Sequence, residues 1–459
     1  MTASASAYDI CVIGGGSGGL TAARVAAGFG VRTLLVDDRP GGVGGECLFS
    51  GCVPSKALIA ASKHNSGSPD AFTAALHAVQ TSIGKVQSGK DNDDNLRKAG
   101  VEVLHGKAVF SGPRQITVGE QTIMARKFII ATGSSAFIPP IKGIDEVEYL
   151  TNETVFSLAV LPPELLVLGG GPIGVELGQA FARLGSKVTI ISSEDRLLPR
   201  EEPVASTAVQ EGCEALGITV ILGSKAEAAQ THDGAIELSY RRDADEAGSA
   251  SGSHLLVATG RKPNTNLNLN AAGIETTPKG ITVDKHFRTS NRYVYAVGDC
   301  TPTLQFTHVA GAQAGIAVRN ALFPGNGTYD TASVPWVTFC QPEIARRGPA
   351  SEECQAHGGR TIDISYDGID KAITEQSTGS ILLQFDRSDI IIGFTIIGPA
   401  AGEVAAQLNL AIDNHLPLSR LASARQAYPT LGFGIYEALA FEQLKGYNSN
   451  RFIRWLAKR

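Results

Sequence analysis

A surplus of positive charge is missing from this chain. Lys and Arg number 40 against 45 Asp and Glu, which leaves a net charge of −5. No basic face is implied, which argues against a nucleic-acid partner. No apolar run is long enough to span a bilayer, so no membrane partner is expected. The opening residues lack a basic segment followed by an apolar run and do not read as a secretory signal. Cysteine is scarce and scattered, seven residues in 459, which excludes a secreted disulfide framework. A reducing cytoplasm is the expected compartment. Glycine, in contrast, is plentiful at 52 residues, as a chain needs for tight turns and close approach of backbone to ligands. The length predicts two to four domains, each with its own core.

Two of the cysteines stand together in Gly44-Gly45-Glu46-Cys47-Leu48-Phe49-Ser50-Gly51-Cys52-Val53-Pro54-Ser55-Lys56. In a regular helix their spacing turns the side chains roughly 140° apart. The sulfurs meet only where the backbone is distorted, and Gly51 permits that. Pro54 and Ser55 suit a helix start. Cys52 then lies near the positive end of a helix dipole, which favours a thiolate, and Lys56 adds a cation one turn on. The pattern fits either a dithiol/disulfide that passes electrons or a pair of inert buried cysteines.

Upstream, Tyr8–Ile13 reads as a buried strand, followed by Gly14-x-Gly16-x-x-Gly19, an Ala-rich helix through Gly28, and a strand Thr33–Val36 ending at Asp37. This βαβ pattern is that of a dinucleotide site, with glycines at the pyrophosphate and Asp37 able to hold a ribose hydroxyl. A second unit begins at Leu165–Leu168, with Gly169-x-Gly171-x-x-Gly174 and the strand Val188–Ile191. Two such motifs about 155 residues apart imply two nucleotides with electrons passing between them.

The thirteen-residue cysteine stretch resembles the redox-active segment of the flavin-dependent pyridine nucleotide–disulfide oxidoreductases. That family includes dihydrolipoyl dehydrogenase, glutathione reductase and mercuric reductase, and the similarity runs from Tyr8 to about Leu444. The resemblance implies an α/β fold with two Rossmann-like dinucleotide-binding domains and a C-terminal α+β dimerisation domain. The expected divisions are 1–150 and 275–333 for the FAD-binding and central parts, 151–274 for NAD(P)H, and 334–459 for the homodimer interface. It implies FAD at the first site and NAD(P)H at the second. It makes Cys52 the flavin-facing charge-transfer thiol and Cys47 the outer interchange thiol, joined as a redox disulfide. It pairs Glu176 with Lys56 beside the flavin ring. Thr132 and Gly133 close the first domain's last strand, predicted over 128–134. Gly260 follows the matching strand of the second. Asp299 is expected on the ribityl chain, with His308 and Ala310 on the helix facing the flavin carbonyl.

Three features depart from the disulfide-reducing pattern. Ser192 stands where NAD-specific members usually carry an acid, so with Ser193 it favours NADPH over NADH; Glu194 and Asp195 count against a 2′-phosphate and Arg196 for it. Tyr428-Pro429-Thr430 replaces the family's His-Pro-Thr, and Phe433 replaces its glutamate. Tyrosine is a poor base near neutral pH. Mercuric reductase also has a tyrosine there, and Phe306–Ala310 and Val334–Phe339 resemble that branch. The chain ends Phe452–Arg459 without a cysteine pair, read as a solvated helix end, and Cys340 and Cys354 lack ligand spacing. No resident metal site is expected. The expectation is an enzyme that moves electrons from NAD(P)H through FAD and Cys47–Cys52 to a soft metal ion or unusual disulfide, with Tyr428 lining the pocket. The alternatives are a quinone reductase working directly from FAD, a dihydrolipoyl dehydrogenase, and a non-enzymatic redox sensor. Locally, helices are expected at about 57–62, 71–99, 401–414 and 433–445, a loop over 63–70, a hairpin-like series to about Met124, and an exposed hairpin tip over 241–253.

Overall fold

The computed structural model describes residues 8–64, 70–242, 246–449 and 454. The expected solvated tail at 452–459 therefore lies outside the described residues except for Arg454, as do residues 65–69 of the loop expected over 63–70, whose first two residues continue a helix.

The first half of the chain supplies six strands of a seven-stranded sheet. Its elements are β1 (Tyr8–Ile13), α1 (Ser17–Gly28), β2 (Thr33–Asp37), α2 (Gly45–Phe49), α3 (Cys52–His64), α4 (Ala71–Gly89) and α5 (Asp93–Lys98). They continue with β3 (Val101–His105), β4 (Ala108–Gly112), β5 (Gln115–Val118) and β6 (Gln121–Ile130). The strand order is β3-β2-β1-β6-β5-β4. Side chains alternate across the pleat. Ile10, Val12, Leu35 and Ile129 pack toward α1. Cys11, Ile13, Leu34, Val36 and Phe128 fill the opposite face. Both faces are covered, as a parallel sheet requires.

This region corrects two expectations. The series to Met124 is not a set of hairpins alone, because β3 joins β2 in parallel. The strand expected over 128–134 is the end of one long strand, β6. Its first half pairs antiparallel with β5 and its second half parallel with β1. Regular pairing stops at Ile130, so Ala131-Thr132-Gly133 is free to line the nucleotide site, with Gly133 at φ 70°.

The second nucleotide unit is a parallel sheet, order β11-β10-β9-β15-β8. After β7 (Ser134–Ala136) come β8 (Tyr149–Leu150), β9 (Glu164–Leu168), α6 (Pro172–Leu184), β10 (Lys187–Ile191), α7 (Pro203–Ala215) and β11 (Thr219–Ile221). A three-stranded antiparallel sheet of β12 (Lys225–His232), β13 (Ala235–Arg241) and β14 (Ala247–Gly252) lies against it, before β15 (His254–Val257). The stretch expected as a hairpin tip over 241–253 does belong to the β13–β14 hairpin, but most of it, Ala247–Gly252, is the second strand and not the tip. Its Gly and Ser residues look loop-like in isolation, but small residues are required here. A Cβ on Gly248 would lie 2.7 Å from the Tyr240 ring, and one on Gly252 2.8 Å from Leu166. The chain returns through β16 (Arg261–Pro263), which pairs with β7, then β17 (Thr276–Thr277) and β18 (Gly280–Ile281). From there β19 (Val294–Ala296) joins β6, and α8 (Thr307–Leu322) packs on α1.

The C-terminal part is an antiparallel sheet, β20-β21-β24-β23-β22. It comprises β20 (Trp336–Thr338), β21 (Ile344–Arg347), α9 (Ser351–Ala356), β22 (Arg360–Ser365), α10 (Asp370–Thr374), β23 (Ser380–Phe385) and β24 (Ile391–Ile397). Its helices α11 (Ala401–Asp413), α12 (Leu418–Leu421) and α13 (Leu431–Ser449) follow. Ile381, Leu383, Phe394 and Ile396 pack against Val404, Leu408 and Leu439, one apolar layer between sheet and helices. The α/β class with two dinucleotide units and a C-terminal α+β part is as the sequence implied. Among the described residues no helix is long and apolar enough to cross a membrane.

Candidate active site

One cleft of ≈ 1790 Å³ runs between the two glycine loops and the start of the C-terminal sheet. It is lined by Gly14–Gly18, Cys47, Cys52, Lys56, Gly169–Gly171 and Asp299, among others.

The two glycine loops are built alike. Gly14 has φ 103° and Gly169 φ 123°, and a Cβ on either would meet a carbonyl oxygen at 2.4 Å. Gly19 and Gly174 press directly on the first glycine of their own loops, which closes helix against strand. In the first loop, the Gly15 N–H donates to Asp37 Oδ1 at 2.9 Å. In the second, Ser192 takes the corresponding place, its Oγ 2.9 Å from a Cβ built on Gly170. Ser192 is buried and its Oγ accepts from the Glu194 N–H at 3.2 Å. Ser193 is exposed and lines the cleft beside Lys225. Arg196 instead donates to the Pro199 carbonyl at 2.9 Å.

The two cysteines meet because the helix between them is broken. α2 ends at Phe49, its capping residue Ser50 has φ −145°, and α3 restarts at Cys52. A Cβ on Gly51 would sit 3.0 Å from the Cys47 Cα, so only glycine lets the turns close this tightly. Both thiols are free, and the Cys47 thiol hydrogen-bonds the Cys52 sulfur. That bond, with the Lys56 charge and Thr307, outweighs burial and brings the Cys52 thiol down to about 6. As the donor to Cys52, and half-buried as well, the Cys47 thiol is pushed up. The pair is therefore one thiolate and one thiol at neutral pH. Thr307 Oγ1 lies 3.8 Å from Cys52 Sγ at the start of α8.

Lys56 Nζ donates to Glu176 Oε2 at 2.8 Å, and Glu176 Oε1 accepts the Phe339 N–H at 2.8 Å. The ammonium also lies 4.7 Å from the Phe339 ring centroid. One ion pair thus ties α3, α6 and the end of β20 around the cleft beside the thiols.

The family described as pyridine nucleotide-disulphide oxidoreductase matches residues 8–314, and its dimerisation domain matches 334–438. The chain belongs to this family. It is similar to mercuric reductase from Bacillus cereus, 32% identical over 93% of this chain and 70% of the relative. It is also similar to dihydrolipoyl dehydrogenase from Staphylococcus aureus, 31% identical over 96% of this chain and 97% of the relative. Among solved structures it resembles the Cu(II) complex of a cysteine-to-serine mutant of RclA, the HOCl-induced flavoprotein disulfide reductase from Escherichia coli. That match has a TM-score of 0.87 and 26% identity, and covers 95% of this chain and 99% of the other.

Oxidoreductases of this family depend on FAD and use NAD(P)H. The first loop fits FAD on its own chemistry. Asp37 Oδ2 is buried without a protein partner, and burial pushes the carboxyl up. A ribose hydroxyl supplies the missing donor. Further along the cleft, Thr132 Oγ1 donates to the Asn264 carbonyl at 2.7 Å. Asp299 Oδ2 accepts from Ser134 Oγ at 2.9 Å, and burial raises its carboxyl. Ala310 sits under Gly298, and Gly260, at φ 132°, lines the second nucleotide end. His308 stacks on Phe306, which stacks on Trp336, and partial burial lowers its pKa so that it is neutral near pH 7.

Tyr428 is not brought into this cleft by its own chain. It is 64% exposed, its hydroxyl donates to Asp370 Oδ2 at 2.8 Å, and its ring packs edge-on against Phe433. The hydrogen bond to Asp370 raises its pKa further. Cys300, Cys340 and Cys354 are all buried away from the pair. Among the described residues no group of three or more His, Cys, Asp or Glu is placed to hold a metal ion. Sequence reasoning missed Thr307, Asn152 and the pairing of Glu46 with Arg261. Thr307, Glu46 and Arg261 lie within stretches it had marked and Asn152 does not, and only the fold joins them.

Proposed function

We propose that the chain is a mercuric-reductase-like, NADPH-dependent member of its family, acting as a homodimer in the cytoplasm. In this reading the Cys47–Cys52 pair hands electrons to a soft metal ion or an unusual disulfide. The observation that carries it is that the free Cys47 and Cys52 thiols and the Lys56–Glu176 ion pair line one cleft between the two nucleotide loops. FAD, when bound, relays the electron pair from the nicotinamide to the thiols.

The residues divide the remaining work. Gly14, Gly16, Gly19 and Asp37 hold the FAD pyrophosphate and ribose, and Thr132, Gly133, Asp299, His308 and Ala310 line its other end. Gly169, Gly171, Gly174, Ser192, Ser193 and Gly260 hold NADPH. Ser192 places no carboxylate against a 2′-phosphate, and Ser193 can donate to it. Lys56, held by Glu176, supplies positive charge where negative charge develops on reduction. The oxidised pair takes up two electrons and one proton, which leaves Cys52 as thiolate and Cys47 as thiol. Cys47, the outer sulfur, then meets the acceptor. The metal acceptor takes both electrons, as one mercuric ion or two cupric ions, the Cys47 proton is released and the disulfide re-forms. Tyr428 lines the pocket from the other subunit. Its hydroxyl proton is engaged by Asp370, so its oxygen offers lone pairs, which suits a cation better than a leaving thiolate that needs a proton.

The named relatives support the metal reading, since mercuric reductases and a Cu(II) complex of a flavoprotein disulfide reductase are among them. The Phe306–Trp336 stack lining the cleft favours a second reading, direct transfer to a planar quinone. The test is NADPH oxidation with mercuric ion, cupric ion, lipoamide, glutathione disulfide and menadione. Turnover of a metal ion supports the proposal, and turnover of menadione alone rejects it in favour of the second reading.

A further inference from the structure

An ionic node lies beside the thiols. Glu46 precedes Cys47 on α2, and its carboxylate is gripped by both terminal nitrogens of Arg261, with Nη1 to Oε1 at 2.6 Å. Arg261 Nε donates to Ser134 Oγ at 2.8 Å and Nη2 to the Ser134 carbonyl at 2.6 Å. Asn152 Nδ2 donates to Glu46 Oε1 at 2.6 Å and to the Ser50 carbonyl at 3.1 Å. Ser50 is the residue that caps the end of α2. The side chains of Arg261 and Glu46 are only 13% and 23% exposed. Asp299 Oδ2 lies 4.0 Å from Arg261 Nε and accepts from Ser134 Oγ at 2.9 Å, so five chain segments, at 46, 134, 152, 261 and 299, meet beside the break that brings Cys47 to Cys52.

A planar fork on a carboxylate fixes direction as well as distance. The charges also cancel. Next to Cys47, an unpaired cation would favour the thiolate and an unpaired carboxylate would oppose it. We propose that Glu46 and Arg261 are a positioning pair. They hold the α2–α3 break closed and, by neutralising each other, leave thiol ionisation to the groups that face the sulfurs. Those groups are Lys56 on α3, Thr307 on α8 and, behind Lys56, Glu176 on α6. Asp299 and Glu153 are the other charges facing Glu46. The proposal rests on Cys47 and Cys52 being the redox pair, but its test needs no acceptor.

The readout is the rate at which iodoacetamide alkylates the reduced FAD-loaded protein, followed against pH. Arg261 cannot lose its proton, so Glu46→Gln leaves a fixed cation, and the alkylation midpoint falls by about one pH unit. Glu46→Gln with Arg261→Met removes both charges and returns the midpoint to the wild-type value. A pair with only a structural role would disturb FAD content in both variants without this reversal. A midpoint unmoved by Glu46→Gln, or one not restored in the double variant, overturns the proposal. Glu46→Thr carries the same expectation should the glutamine variant fail to fold.

Discussion

Ionisation of Cys52 is where the chemistry of single residues is most exposed. Its thiol is held down to about 6 by the Cys47 hydrogen bond first, with Lys56 and Thr307 acting against burial. Above that pH the reduced protein carries the thiolate, and below it the thiol. Alkylation should therefore be flat above about pH 6 and fall roughly tenfold per unit below it. Lys56→Met removes the supporting charge and strands Glu176, which is 5% exposed. The account expects its alkylation midpoint to rise, and flavin reduction in stopped-flow to slow by about 10²-fold. At the second loop, Ser192→Asp restores a carboxylate against Gly170. The ratio of kcat/KM for NADPH to that for NADH should fall by about tenfold or more. An unchanged ratio would remove Ser192 from coenzyme choice.

Among the elements, the short helix α2 depends on how closely it meets the first glycine loop. Gly45 has φ 63°, and a Cβ there would lie 2.4 Å from the Gly16 Cα. Gly45→Ala should cost about 1–3 kcal/mol and lower the FAD bound per protein, measured by absorbance after desalting. Wild-type occupancy would show that the contact can relax. The elements with strong local signals were legible in the sequence. Thr33–Asp37, the two glycine loops and the strands at 380–385 and 391–397 all combine a pattern with its punctuation. The strand β14 was not, because Ala247–Gly252 has no apolar alternation and its structure comes from pairing with β13. The division of β6 between two partners was likewise set by tertiary neighbours. Glu46 and Arg261 stand 215 residues apart, and no short-range rule links them.

At the scale of the whole molecule, the C-terminal part leaves large apolar side chains exposed. Leu410, Tyr428, Phe441 and Leu444 are each more than half exposed, in the region that matches or adjoins the dimerisation domain. Such a surface is what a second copy would cover. Leu410→Asp combined with Phe441→Glu should shift the protein from dimer to monomer in sedimentation velocity. If Tyr428 serves the other subunit, metal turnover should fall with dimer content. The central claim is that electrons leave through the thiols. The most direct measurement is NADPH oxidation with mercuric or cupric ion and with menadione, in wild type and in Cys47→Ser. The account predicts metal-ion turnover that is lost in the mutant. Menadione turnover that survives intact, with no metal-ion or disulfide turnover in either protein, would contradict it and leave the flavin as the site from which electrons depart.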